Sequence, residues 1–230
     1  DAAAVSAYAL LDYLGGPGVL GAGEMIKDVP EFLDLAFWEE LYKDVDPEQL
    51  KLQANVAILE GVAGDFFSNQ RVLGFHSVID SHKGINVLTT LPADWNRQKG
   101  VRTTEDILQA HGQRLDVIWA ASNEMGIGAT YPIGAAGLQD KIKVMTNDGT
   151  PESVDMIRAG EILAETWHGF PEWGWYGTRF AVMAALGLEV PYQFDVRPRI
   201  IYAGNADLFY PNVALEAHPW DEIIAAYKAQ

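Results

Sequence analysis

Two short apolar runs stop abruptly in polar residues and then turn into helix-like sequence. They are Asp116-Val-Ile-Trp-Ala-Ala-Ser-Asn-Glu-Met-Gly-Ile-Gly-Ala-Thr130 and, further on, Val144-Met-Thr-Asn-Asp-Gly-Thr-Pro151. In each, β-branched and aromatic residues read as a strand, and the polar residues that follow read as a helix start. Asn123 and Asp148 are therefore expected at the carboxyl ends of two strands. In an open parallel sheet that is where ligands bind.

The same rhythm runs through much of the chain. Strands are expected at Asn55 to Glu60, Ile85 to Thr90, Val117 to Ala121, Ile142 to Thr146 and Ile162 to Thr166. Helix-length stretches fall at 69–82, 102–111, 123–137 and 151–159, and residues 2–14 form a first helix stopped by Gly15-Gly-Pro-Gly18. Strands alternating with helices predict an α/β fold, a three-layer sandwich around a mainly parallel sheet. Residues 19–53 break the rhythm. Within them Pro30 to Asp44 carries Phe32, Leu33, Leu35, Phe37, Trp38, Leu41 and Tyr42, expected as an extra helix that either packs on the protein's own surface or docks a partner.

Composition excludes several function classes. With 16 basic and 32 acidic residues the net charge is -16, a field that repels nucleic acid phosphates and anionic membranes, so no nucleic-acid partner is expected. Hydrophobic residues make up 49% of the 230, enough for a globular core. The absence of cysteine removes disulfides, thiolate catalysis and zinc–thiolate sites together. No apolar run is long enough to span a bilayer, and Asp1 opens directly onto helix-like sequence, which reads as a soluble chain that is processed or truncated.

Several motifs do not carry chemistry. Gly16-Pro-Gly-Val-Leu-Gly21 matches the phosphate-cradling G-x-G-x-x-G spacing, but it follows a helix where that motif follows a strand, so it reads as a helix stop and loop. The histidines His76, His82, His111, His168 and His218 are scattered without metal-ligand spacing, and no G-x-S-x-G elbow marks a nucleophile. No cofactor, no metal and no enzymatic activity are expected.

The two opening segments, with Gly61-Val-Ala-Gly64 leading to Arg71 and Leu91-Pro-Ala-Asp-Trp95, resemble the ribose-binding branch of the type I periplasmic binding proteins over roughly residues 54 to 195. The resemblance implies that Arg71 forks to two sugar oxygens and that Trp95 lies flat against the sugar ring. Asn123 and Asp148 would grip hydroxyls that both donate and accept. Where the family commonly carries a Gln, the alignment falls on His168 or Gly169, and only His168 has a side chain able to hydrogen-bond. Helix capping is the plain alternative for Asn123 and Asp148. Trp173, Trp175 and Tyr176 are expected mainly as packing residues.

Family members have two lobes closing on ligand. By that plan residues 1–168 form the C-terminal lobe (with 19–53 inserted), 169–192 cross toward an N-terminal lobe absent from this chain, and 193–230 return and form the tail. The implied function is capture of a sugar or related polyol for an ABC transporter permease, in the periplasm or outside the cell, with lipid anchoring of the longer protein left open. The alternative is a sensory module, partnering a membrane kinase or serving as the effector domain of a LacI-type repressor. The apolar stretch 171–187 is expected to form a helix that, with its covering lobe missing, either drives self-association or folds down onto this lobe.

Overall fold

The computed structural model describes residues 1–20, 33–211, 215 and 217–229. Five parallel strands, β1 (Ala54–Glu60), β2 (Ile85–Pro92), β3 (Val117–Ala120), β4 (Lys143–Asp148) and β5 (Ala164–Trp167), are joined by β6 (Arg199–Tyr202), which runs antiparallel to β5. The sheet order is β2-β1-β3-β4-β5-β6. Chain order reverses at β1, which opens a crevice at the carboxyl ends of β1 and β3. Every residue of β3 and β5 is buried, as expected of strands covered on both faces.

Helices α1 (Ala2–Tyr13) and α4 (Phe66–Ile79) pack together on the sheet. Helices α5 (Arg97–His111) and α6 (Asn123–Ala135) pack as a second pair, and α7 (Pro151–Ala159) lies against β5 and β6. Helix α5 begins well before the expected residue 102. Gly100 weakens its first turns as sequence, yet a Cβ there would stand 2.7 Å from the Met125 carbonyl oxygen, and one on Gly128 would stand 2.3 Å from that of Arg97. The two glycines are what let α5 and α6 approach so closely.

The insertion packs on its own protein. Its helix is shorter than expected, α2 (Leu35–Tyr42) followed by α3 (Pro47–Leu50), and residues 30–32 of the expected helix lie outside the described residues. Trp38 is fully buried, its indole N–H donates to the Leu33 carbonyl at 3.1 Å, and Tyr42 meets Tyr8 of α1 with ring centroids 5.3 Å apart. Leu33 accepts from Ile200 N–H at 3.1 Å, and Asp34 bridges Arg199. The insertion thus covers the outer edge of β6, an edge that would otherwise offer unpaired backbone groups.

The glycine-rich loop after α1 does hold an anion, supplied by the protein itself. The buried Asp12 carboxylate accepts from the Gly18 and Leu20 N–H groups, each at 2.6 Å, and also from Val19. Gly21 lies outside the described residues.

Beyond β5, α8 (Phe170–Ala185) leaves the sheet. Glu172 is its one fully buried residue. Its partners are aromatic side chains from the tail, with Tyr176 4.4 Å from Phe194 and Trp175 stacked 3.9 Å from His218. Helix α9 (Trp220–Lys228) ends the described chain.

Candidate ligand-binding site

Arg71, Trp95, Asn123, Asp148 and His168 come from five different strand-to-helix connections, and the fold brings all five to the same end of the sheet. Asp65 caps α4, accepting from Ser68 N–H at 3.0 Å. From the second turn of that helix Arg71 reaches back over the strand ends. Its Nη1 donates to Asp148 Oδ1 at 2.8 Å and to the Ala121 carbonyl. The guanidinium lies 5.3 Å from the centre of the Trp95 ring, within the range of a cation–π contact.

Trp95 is presented by an unusual backbone. Asp94 and Trp95 both adopt left-handed conformations, with φ of 51° and 57°. The preceding Ala93 N–H is anchored on the Glu60 carbonyl at 2.9 Å, tying the loop to the end of β1. The indole lies on Gly61, where a Cβ would stand 2.0 Å from the ring. Two strained residues and a glycine seat are thus spent on holding one aromatic ring at the strand ends, a placement that points to function.

Asn123 is the first residue of α6 and a candidate ligand contact. Its Oδ1 accepts from Glu124 N–H at 2.9 Å, its Nδ2 donates to Thr150 Oγ1 at 2.8 Å, and its N–H donates to Asp148 Oδ2 at 3.3 Å. The side chain is 4% exposed. The capping expectation fails at both residues: Ser122, not Asn123, is the N-cap of α6, and Thr150, not Asp148, caps α7; the hydrogen bonds of Asn123 instead fix its amide beside Asp148. Asp148 itself has a φ of 109°. Burial pushes its carboxyl above the ordinary carboxylate range, while Arg71 and the Asn123 N–H pull it back down.

His168 follows β5, and its backbone N–H donates to the Asp148 carbonyl at 3.1 Å. Its ring is buried. Nε2 stands 3.9 Å from Asp148 Oδ1 and has no hydrogen-bond partner. Burial, with help from the Arg71 charge, pushes the imidazole down to about 3, so it is neutral at neutral pH and the separation is not an ion pair. An unpaired ring nitrogen beside an acceptor oxygen suits a ligand hydroxyl, which both donates and accepts. At Gly169 φ is +73° and a Cβ would stand 2.4 Å from Val196, so of the two aligned positions only His168 has room for a side chain.

Sequence reasoning missed the network around these residues. Arg97 binds Glu124 (3.0 and 2.8 Å) and Glu152 (2.8 and 2.7 Å), tying the starts of α5, α6 and α7 together. Thr150 and Ser153 form a capping box at the start of α7. That pair was visible as Thr-Pro-Glu-Ser in the sequence, whereas the partners of Arg97 are too distant along the chain to be read. Among the described residues no group of three or more His, Cys, Asp or Glu is arranged to hold a metal ion. A separate cleft of about 330 Å³, lined by Leu52, Ser81, His82 and Gly84 among others, lies where β1 and β2 begin and shares no residue with this cluster.

Known proteins agree with this architecture. The periplasmic binding protein domain matches residues 39–189. The ribose import binding protein of Haemophilus influenzae is 36% identical over 121 residues, 53% of this chain and 40% of that protein. The D-allose-binding periplasmic protein of Escherichia coli is 31% identical over 109 residues, 47% of this chain and 35% of that one. Among solved structures, an ABC transporter periplasmic solute binding protein from Actinobacillus succinogenes with bound D-allose superposes with a TM-score of 0.65 at 25% identity, covering 67% of this chain and 54% of that one. The Caulobacter myo-inositol binding protein shares the fold, with a TM-score of 0.66 at 21% identity over 90% of this chain and 60% of that one. The chain spans about half or less of the length of the curated relatives it matches. By its domain match and its sheet topology, this chain belongs to the periplasmic binding protein family, in the ribose-binding-like type I branch.

Proposed function

We propose that this chain forms most of one lobe of a two-lobe receptor that captures a neutral sugar or polyol and delivers it to an ABC-type permease in the membrane, working in the periplasm or at the cell exterior. The observation that carries the reading is the convergence of Arg71, Trp95, Asn123, Asp148 and the unpaired His168 Nε2 at one end of the sheet. An indole face for the C–H side of the ring, a guanidinium, an amide, a carboxylate and an imidazole together complement a ligand rich in hydroxyls. Relatives named for ribose and allose binding support the ligand class. The function is capture with no bond broken.

In this reading residues 1–168 are the lobe, with 19–53 inserted and its Leu33 and Asp34 lying on the edge of β6, and 169–192 cross toward a second lobe. Residues 193–230 return. The exposure of α8, with Trp173 at 51%, supports a covering surface supplied by that lobe. The test is calorimetric titration of D-ribose, D-allose and myo-inositol into the full-length protein. Saturable micromolar or tighter binding of at least one is expected; no heat from any of the three would refute the ligand class.

A further inference from the structure

The turn Asp148-Gly149-Thr150 connects the residues of the site. Asp148 holds Arg71 and the Asn123 N–H, while Thr150 Oγ1 holds the Asn123 amide. Between them Gly149, at φ +82°, has its N–H bound at 3.0 Å by Oε1 of Glu165, a residue of β5 with no exposed surface. The Trp167 ring closes the other side, where a Cβ on Gly149 would stand 2.3 Å from it. The second carboxyl oxygen of Glu165 is buried without a hydrogen-bond partner. A carboxyl with no exposed surface, a donated N–H on one oxygen and, among the described residues, no cation partner is more stable carrying a proton than carrying a charge.

We propose that Glu165 is a positioning residue of this site: through Gly149 its protonated carboxyl fixes the aim of Asp148 and the seat of Asn123, and loss of that proton weakens ligand binding. The inference rests on the ligand reading above for its effect on affinity, but not for its effect on the turn. Among the described residues the groups facing Glu165 are few. Asp148 approaches from β4 with Arg71 beyond it and Ser153 from α7, while β6 sets Ile201 opposite it. Burial first, and the Asp148 charge with it, push the Glu165 carboxyl up to about 8; Ser153 and the Gly149 N–H oppose them. Ionisation would put a second buried negative charge beside Asp148, and the shared turn is the element free to yield.

The test uses the full-length protein as wild type, Glu165→Gln and Glu165→Leu. Gln keeps a carbonyl for Gly149 N–H and does not titrate; Leu removes the acceptor. Titrations of D-ribose, D-allose and myo-inositol from pH 6.5 to 9.5 should show wild-type affinity falling about tenfold through pH 8, as the ionised Glu165 repels Asp148 and the turn yields. The Gln variant should be flat, and the Leu variant, folded by circular dichroism, weak at every pH. Affinities of wild type and Gln falling in parallel would overturn the proposal. If none of the three sugars binds, the ligand reading fails, and a ligand-free measurement still decides this one. The Gly149 amide resonance should titrate with a midpoint near 8 in wild type and not in Glu165→Gln; identical titration in both would overturn it.

Discussion

Arg71 and Asp148 meet at 2.8 Å across 77 residues of sequence, joining the second turn of α4 to the last residue of β4. Both side chains are mostly buried, at 22% and 14% exposure, so this is a fixed pair and not a solvated surface contact. Each keeps hydrogen-bonding capacity that the other does not use. We expect Arg71→Lys and Asp148→Asn each to weaken sugar affinity by about 1.5 kcal/mol or more, because an ammonium cannot reproduce the fork and an amide removes the charge. Calorimetry on the full-length variants checks this, with unchanged affinity in both placing the ligand elsewhere.

Trp95→Ala should cost about 2 kcal/mol of sugar affinity with a smaller loss of folding stability, since the ring sits over Gly61 at the rim of the core and is only partly buried. Gly61→Ala should mimic it, because the added Cβ would displace the indole. A thermal melt separates the two effects: collapse of the Trp95→Ala fold would make the indole a structural residue.

Two buried groups give stability opposite dependences on pH. Glu165, raised from 4.5 to about 8 in the folded chain, favours folding below pH 4.5, and that advantage is lost as pH rises through 8. His168, lowered from 6.5 to about 3, favours folding above pH 6.5, and that advantage is lost as pH falls toward 3. Their sum places maximal stability in mildly acidic solution, with each limb on the order of a few kcal/mol. Denaturant midpoints across this range should show Glu165→Gln flattening the alkaline limb and His168→Gln the acidic one; identical profiles in both variants and wild type would assign the dependence to other groups.

Phe170 and Trp173 leave an apolar patch at the start of α8 exposed among the described residues. Burying each is worth roughly 1.5 to 3 kcal/mol, so residues 1–230 alone should self-associate, and Trp173→Glu should restore a monomer. Sedimentation velocity reads this directly. A monomer at all concentrations before substitution would remove the argument for a missing covering surface.

Much of this fold is legible in sequence because parallel strands announce themselves. Val117-Ile-Trp-Ala120 and Val144-Met-Thr146 are apolar runs followed by polar residues, and the strands lie where these runs predict. The edge strand β6 is not legible, for Arg199-Ile-Ile-Tyr202 is four residues long and its partner lies more than thirty residues back, beyond α8. Arg71, Trp95, Asn123, Asp148 and His168 are singled out through the family resemblance of their local motifs, and the structure brings them to one end of the sheet. The Glu165 contact with Gly149 is not legible, since a Glu on a strand end carries no local sign of being buried, and only pairing of β5 with β4 brings the two together.

The most direct test of the central claim is a crystal structure of the full-length protein with whichever of D-ribose, D-allose or myo-inositol it binds. The ligand ring is expected flat against Trp95, with its hydroxyls hydrogen-bonded to Arg71, Asn123, Asp148 and the His168 Nε2 that has no partner in the free lobe. A ligand seated elsewhere, or one separated from all five side chains by more than a bridging water, would contradict the account.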